Sequence, residues 1–252
     1  MAVDDSPLNR AHGNAVNSPI HGRLIAASAL TAETNLLRFR MTADLTGFEA
    51  GQYIEMLDDD GARIPFSIAS TKADLPNLEL HYSPIAGHPD VPRMARVLAS
   101  PTVNFAAPSG NCWLNAAQRQ QPLLLAAAGT GIAQSLSILR SLRQQSNSPS
   151  VELYWGVRHA AQLYLGREFD AWARDHNGFS WQAIVSDEPD YHGRRGLLPT
   201  ALTQDAAGIA HRVAVLSGGP AAVYAMYDAL LAAGARAENI LADVFAYAPR
   251  PP

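Results

Sequence analysis

The chain changes its hydrophobic period once, and that switch constrains its architecture more than any other feature. From about His21 to Leu114 apolar residues recur at every second position. The pattern is plainest in Leu37-Arg38-Phe39-Arg40-Met41, where apolar and charged side chains alternate as on a strand with one wet face. Further short runs occupy residues 52–57, 64–69, 78–82 and 102–105. Between them lie Asp58-Asp59-Asp60-Gly61, Pro76-Asn77 and Pro108-Ser109-Gly110, all turn chemistry. The pattern predicts a small antiparallel β-barrel interrupted by one helix over residues 91–98. From Pro122 onward, strand-like runs over residues 123–126, 151–155, 180–185, 213–216 and 240–247 alternate with amphipathic stretches. In the first of these Ile132, Leu136, Leu139 and Leu142 share a helix face; a second covers residues 163–174; a third carries Val223, Met226, Tyr227 and Leu230 and stops at Gly234. Such alternation predicts a mostly parallel α/β sheet covered on both faces. The expected organisation is a loose arm over residues 1–20, a barrel over 21–115 and an α/β domain over 116–252.

Composition removes several function classes. With 48% hydrophobic and 17% charged residues, a chain of 252 residues can bury a core without staples. Cys112 is the only cysteine, which excludes an internal disulfide, a four-thiolate zinc site and a self-contained iron–sulfur cluster. It is expected in the barrel's last strand as a small buried hydrophobe, and its isolation suggests a reducing compartment, the cytoplasm. The histidines at 12, 21, 81, 88, 159, 176, 192 and 211 include no pair at helical metal-binding spacing, so no metal site is expected. Lys72 is the single lysine among 19 basic residues and the net charge is −4, which argues against nucleic acid as a partner. No run approaches the ~20 apolar residues that cross a bilayer, and the acidic opening lacks the form of a secretory signal.

Three strand ends in the second half carry glycines: Gly129-Thr130-Gly131, Trp155-Gly156-Val157-Arg158 and Ser217-Gly218-Gly219-Pro220. A strand that stops at glycines before a helix exposes backbone N–H groups where a pyrophosphate can sit, and ligands of open α/β sheets bind at such carboxyl ends. Taken alone, each reads equally as a tight turn. In the first half, Arg63-Ile64-Pro65-Phe66-Ser67 gathers a cation, an aromatic ring and a hydroxyl. That set can meet a phosphate, stack on a planar ring and hydrogen-bond to a ring nitrogen, or it can be barrel core with a satisfied serine.

The order of these segments resembles the ferredoxin-NADP reductase superfamily, and within it the bacterial NAD(P)H-flavin reductases. The resemblance runs from about Gly22 to the end through Gly51-Gln52-Tyr53, the PFSIAS segment from Pro65 to Ser70, Pro108-Ser109-Gly110 and Gly129-Thr130-Gly131-Ile132. It continues through Tyr154-Trp155-Gly156-Val157-Arg158, Gly193-Arg194-Arg195-Gly196, Gly218-Gly219-Pro220 and Asp243-Val244-Phe245-Ala246-Tyr247. It implies a flavin-binding barrel followed by a nicotinamide-dinucleotide domain, with hydride passing between NADH or NADPH and flavin N5. By matched position it implies Ser67 as the catalytic hydroxyl near N5. Pro65 and Phe66, with the offset Arg63, fall at the flavin, Gly129, Thr130 and Gly131 at the pyrophosphate, Gly156 among the cofactor-binding positions and Arg158 toward the adenosine. Gly218, Gly219 and Pro220 fall where nicotinamide approaches, and Phe245 and Tyr247 near the flavin face.

Two residues depart from the pattern. The family's arginine stands three residues before the serine, where this chain has Ile64, while Arg63 stands four before. Strand alternation sends Arg63 to the other face unless a bulge intervenes. Ala128 replaces a frequent glycine and is tolerable at negative φ. The leading expectation is a flavin reductase that uses FMN, FAD or riboflavin as a diffusible acceptor and hands reduced flavin to a monooxygenase or a ferric acceptor. The alternatives are a reductase component with tightly bound FAD feeding a separate protein, and a non-catalytic nucleotide-binding subunit. Asp187 and Glu188, just after Ser186, point to NADH, against which Arg194 and Arg195 could swing in.

Overall fold

In this computed structural model the described residues are 19–145, 148–205 and 211–250. The expected arm lies, up to residue 18, outside the described residues, and so does His12. The first half forms β1 (Ile20–Ala29), β2 (Asn35–Met41), β3 (Tyr53–Leu57), β4 (Arg63–Ser67), β5 (Asn77–Tyr82), α1 (Asp90–Ala99) and β6 (Val103–Phe105). These strands pair antiparallel in the order β4-β3-β6-β1-β2-β5. The sheet then curls shut, because Ile68, just past β4, bridges to Leu80 on β5 and the Ala69 N–H donates to the Glu79 carbonyl at 2.9 Å. Closure removes the exposed edges that an open sheet would leave unpaired. Period-two patterning does the filling: Leu37, Phe39, Met41, Ile54, Met56, Leu78 and Leu80 all point inward and are buried. Pro65 sits in β4, at the end of the strand order, where a missing N–H costs no ladder bond in the sheet interior. The turn at Asp58 is tied by its Oδ1, which accepts from the N–H groups of Asp60 and Ala62 at 3.0 and 2.7 Å.

The second half forms β7 (Leu123–Ala128), α2 (Ile132–Arg143), β8 (Val151–Val157), α3 (Gly166–Asp175), β9 (Phe179–Val185), β10 (Arg194–Arg195) and α4 (Leu198–Gln204). It ends with β11 (Val213–Ser217), α5 (Pro220–Ala232), β12 (Ile240–Leu241) and α6 (Val244–Tyr247). Its sheet is parallel in the order β10-β9-β8-β7-β11-β12. Alternate residues of β7 serve opposite layers. Leu123 and Leu125 pack with α2 and α3, and Leu124 and Ala126 with α4 and α5, so both faces are covered. The chain winds outward from β7 to β10 and then returns to β11 on β7's other side. The switch point of the sheet therefore lies between the carboxyl ends of β7 and β11.

Helix α2 joins the halves. Its apolar face enters the parallel-sheet core as the periodicity predicts, but its polar side is not left to solvent. Gln134 Nε2 donates to the Gly51 carbonyl at 2.7 Å, Ser137 Oγ to the Ser70 carbonyl at 2.7 Å, and Arg140 to Glu79 at 2.8 Å. Burial pushes the Glu79 carboxyl up, yet the bonds from Arg140 and Arg38 outweigh it and hold it below its ordinary value.

Two expectations are corrected. The last strand covers only Ile240–Leu241, and residues 244–247, expected as its continuation, form α6. The Asp243 carboxylate accepts from the Asn111 N–H at 2.9 Å and from Gln134 Nε2 at 2.7 Å, which draws the chain off the sheet edge. Cys112 lies beyond β6 in irregular backbone, because the chain leaves the barrel after the Tyr53–Ser109 bridge; it is fully buried against the α2 side of the other core.

Candidate functional site

A cleft of about 310 Å³ runs between the barrel and the switch point of the parallel sheet. The barrel side is built by the end of β4. Ile64, Pro65, Phe66 and Ser67 all line it, with Phe66 held edge-to-face against Tyr82 at 6.0 Å. Opposite stand Thr130 and Gly131 from the β7 end and Ser217, Gly218 and Gly219 from the β11 end. The C-terminal turn closes one wall with Asp243 and Tyr247, whose ring meets Tyr53 edge-to-face at 6.4 Å and is half exposed.

The two glycine segments have a geometric cause. A Cβ on Gly131 would lie 2.6 Å from the Ser217 carbonyl carbon and the Gly218 nitrogen, and one on Gly218 would lie 2.9 Å from Ala128 Cβ. The backbones of the β7 and β11 ends thus approach as closely as side-chain-free residues permit, and Gly129 (φ +57°) and Gly218 (φ +133°) hold positive φ besides. The result is a shallow cradle walled by backbone, of the kind a pyrophosphate or a planar ring can enter. Ser217 Oγ, at its floor, is buried and has no hydrogen-bond partner among the described residues. A cradle whose close approach at Gly131 and Gly218 leaves no room for a Cβ, and an orphaned hydroxyl beneath it, fit a nicotinamide dinucleotide. The exposed Pro65, half-buried Ser67 and adjacent Tyr53 and Tyr247 fit a flat aromatic ring on the barrel side.

Several residues singled out in the sequence stand elsewhere. Arg63 does not line the cleft. The β3–β4 register runs without a bulge from Tyr53↔Ser67 to Leu57↔Arg63, and the guanidinium pairs with Glu55 at 2.7 Å with its side chain 60% exposed. Gly156 is explained by packing, since a Cβ there would strike Leu198 of α4 at 2.9 Å. Arg158 is exposed at the start of the loop after β8, and Pro220 opens α5 behind Gly219. Phe245 packs between Tyr224 and Tyr227 at 5.7 and 5.0 Å, half-buried against the core on the α5 side. Gly129 lies at the cradle's edge, its carbonyl accepting from Trp155 Nε1 at 2.9 Å. The cleft also holds residues that sequence reasoning did not single out for the site, namely Tyr53, His81, Tyr82, Asp90, Gln134, Ser217 and Asp243. Asp243 is mostly buried, which raises its carboxyl above the ordinary range even though Asn111 and Gln134 donate to it. That buried carboxylate in turn helps push the Cys112 thiol up, burial being the larger cause.

A barrel edge facing the glycine-walled switch point of a parallel sheet is the layout of two-domain, nicotinamide-dependent oxidoreductases. Residues 125–228 match the family model of the oxidoreductase NAD-binding domain. The chain is similar over 86% of its length to the reductase component 1 of terephthalate 1,2-dioxygenase from Comamonas, at 28% identity. It is similar over 90% of its length to a probable flavin reductase of Aliivibrio fischeri, at 25% identity and 99% coverage of that protein. A ferredoxin NADP+ reductase from Neisseria gonorrhoeae shares the fold with a TM-score of 0.74 at 17% identity, over 88% of this chain and 96% of that one. Residues 125–228 thus form an oxidoreductase NAD-binding domain, and the chain as a whole shares the two-domain fold of the ferredoxin-NADP reductases. It spans about 65% of the length of the Comamonas reductase component. Among the described residues no helix is long and apolar enough to cross a membrane, and no group of three or more metal-ligating side chains occurs.

Proposed function

We propose that this chain is an NAD(P)H:flavin oxidoreductase that takes flavin as a diffusible substrate. The observation that carries the reading is the cleft itself, in which the PFS turn of the barrel faces the glycine cradle with no arginine or lysine among the described residues that line it. When bound, the nicotinamide supplies a hydride and the flavin N5 accepts it. The chain's part is to stack and orient the two rings and to offer Ser67 Oγ as a hydrogen-bonding group beside N5. Thr130 and Gly131 would contribute backbone N–H groups for the pyrophosphate, and Tyr53 and Tyr247, which line the cleft, would flank the flavin.

Diffusible flavin is favoured because Arg63, the one cation in the flavin motif, is committed to Glu55 outside the cleft. A lost charge-assisted bond to a flavin phosphate is worth about 1.5–3 kcal/mol, or roughly ten- to a hundredfold in affinity. NADH is favoured because Asp187 is exposed after β9, Glu188 accepts the Ala160 N–H at 2.7 Å, and Arg194 is tied into Asp205 and Gln204. Reduced flavin then serves a separate acceptor such as a monooxygenase or a ferric complex. The second reading, a reductase component with resident FAD that feeds a protein partner, is favoured by the likeness to the dioxygenase reductase component. Titration of riboflavin, FMN and FAD into protein stripped by gel filtration separates the two. The proposal expects affinities within about the tenfold that 1.4 kcal/mol represents. Stoichiometric FAD retained through the column supports the second reading instead.

A further inference from the structure

A chain of contacts runs from His81, at the cleft wall, to the Gly129 carbonyl at the end of β7. His81, on β5 of the barrel, is buried and lines the cleft, and its Nδ1 shares a 2.9 Å hydrogen bond with the Tyr164 hydroxyl from the other domain. Tyr164 sits just before α3, and its ring meets both His81 (5.4 Å) and Trp155 (5.2 Å) edge-to-face. Trp155, fully buried on β8, donates its Nε1–H to the Gly129 carbonyl at 2.9 Å. That carbonyl also accepts from the Ile132 N–H at the start of α2.

The orientation of one peptide plane follows. In a trans peptide the carbonyl of one residue and the N–H of the next point in opposite directions. With the Gly129 carbonyl held inward by Trp155, the Thr130 N–H is aimed away from Trp155, and Thr130 lines the cleft. Gly129 has positive φ and open space where a side chain would be, so its own sterics do little to fix that plane. Trp155 adds a side-chain restraint to the backbone bond from Ile132, and its ring is braced by Tyr164, whose hydroxyl is anchored on His81.

We propose that His81, Tyr164 and Trp155 form a cross-domain brace that sets the Gly129–Thr130 peptide for dinucleotide binding, with Tyr164 a positioning residue acting through Trp155. The proposal rests on the reading of the cradle as the dinucleotide site. The brace also links the two ligands, because a group bound on the barrel side meets His81 at one end while the pyrophosphate meets the loop at the other.

The test is binding rather than turnover, with NADH and riboflavin titrated separately into the full chain and thermal melting followed in parallel. Tyr164→Phe keeps the ring and removes one hydroxyl. It is expected to weaken NADH by about fivefold while riboflavin stays within about twofold, a split that general loosening of the core would not produce. Trp155→Phe is expected to weaken NADH by about tenfold, and the double variant to be no weaker than Trp155→Phe alone, since the tyrosine acts through the indole. If Trp155→Phe does not fold, His81→Asn takes its place in the cycle, and the same non-additivity with Tyr164→Phe is expected. Unchanged NADH affinity in Tyr164→Phe, equal losses for both ligands, or additive losses in the cycle overturn the brace. Absence of NADH binding by the unmutated chain overturns instead the reading on which it rests.

Discussion

Arg63, opposite Leu57 in the β3–β4 ladder, reaches diagonally to Glu55 at 2.7 Å, outside the cleft that Ile64, Pro65, Phe66 and Ser67 line. At the same end of the cleft stands Asp90, the first residue of α1, in contact with Arg93 at 3.3 Å. On the barrel side the described residues that line the cleft thus include the carboxylate of Asp90 and no arginine or lysine. Arg63→Ala is expected to change flavin affinity by less than about twofold, as for an exposed ion pair. Asp90→Asn is expected to favour FMN over riboflavin by about threefold at low salt, with the gain fading as ionic strength rises. Equilibrium titration of the two flavins with each variant measures both. A tenfold loss of FMN affinity in Arg63→Ala would mean that the arginine reaches the phosphate after all.

Ser67 ends β4 opposite Tyr53 and turns its half-buried side chain to the cleft. If its hydroxyl orients flavin N5, Ser67→Ala should slow hydride transfer by about tenfold or more while NADH affinity changes little, since one hydrogen bond is lost at the reacting atom. Rapid-mixing measurement of flavin reduction gives the rate, and its dependence on NADH concentration gives the affinity. An unchanged rate removes Ser67 from the chemistry.

Asp187 and Glu188 stand after β9, with Asp187 exposed. On the proposed reading these carboxylates would stand near the adenosine ribose and repel a 2′-phosphate, so kcat/KM should favour NADH over NADPH by at least about tenfold, a difference of 1.4 kcal/mol. Asp187→Asn should shrink that ratio. A tenfold preference for NADPH in the unmutated chain contradicts the assignment.

His81 gives the fold a pH dependence of known sign. Burial lowers its pKa from 6.5 to about 4, with Arg140 adding to the shift and Glu79 opposing it. The folded state thus holds the neutral ring, while the unfolded chain takes up a proton below 6.5. The stability that goes with this is present above pH 6.5 and is lost as pH falls through the window down to about 4. At about 1.4 kcal/mol per unit, the full swing is of order 3 kcal/mol. Denaturant unfolding of His81→Asn across this window should show a flatter acid limb than the unmutated protein. An identical slope would mean that His81 is not buried as a neutral ring.

Much of this was legible in the residues. Period two in Leu37 to Met41 gave the barrel its inward face, and the run Leu123-Leu124-Leu125-Ala126 announced a strand covered on both sides, as its division between two cores requires. The facing of Phe66 and Ser67 against Thr130, Gly131 and Gly218 follows from motifs far apart in sequence. Other features had no local signal. The polar face of α2 reads as solvated, yet Gln134 and Ser137 are buried because barrel carbonyls lie across from them. Phe245 and Tyr247 lie two apart and read as strand neighbours on one face. A helical turn separates them, Phe245 against the core and Tyr247 into the cleft. Gly156 carries the same residue type as the cradle glycines, but its cause is Leu198 on a helix, α4, that no periodicity marked. His81 belongs to an ordinary alternating strand, and only the tertiary approach of Tyr164 distinguishes it.

On the proposed reading the cleft carries a hydride from nicotinamide to flavin. The most direct measurement is anaerobic mixing of the riboflavin-loaded protein with NADH and with NADH deuterated at the transferring C4 position, following loss of the oxidised flavin's absorbance. Reduction in a single phase, slowed severalfold by deuterium, is the result expected of direct transfer between stacked rings. Binding of both molecules with no flavin reduction would contradict the account and leave a nucleotide-binding protein in its place.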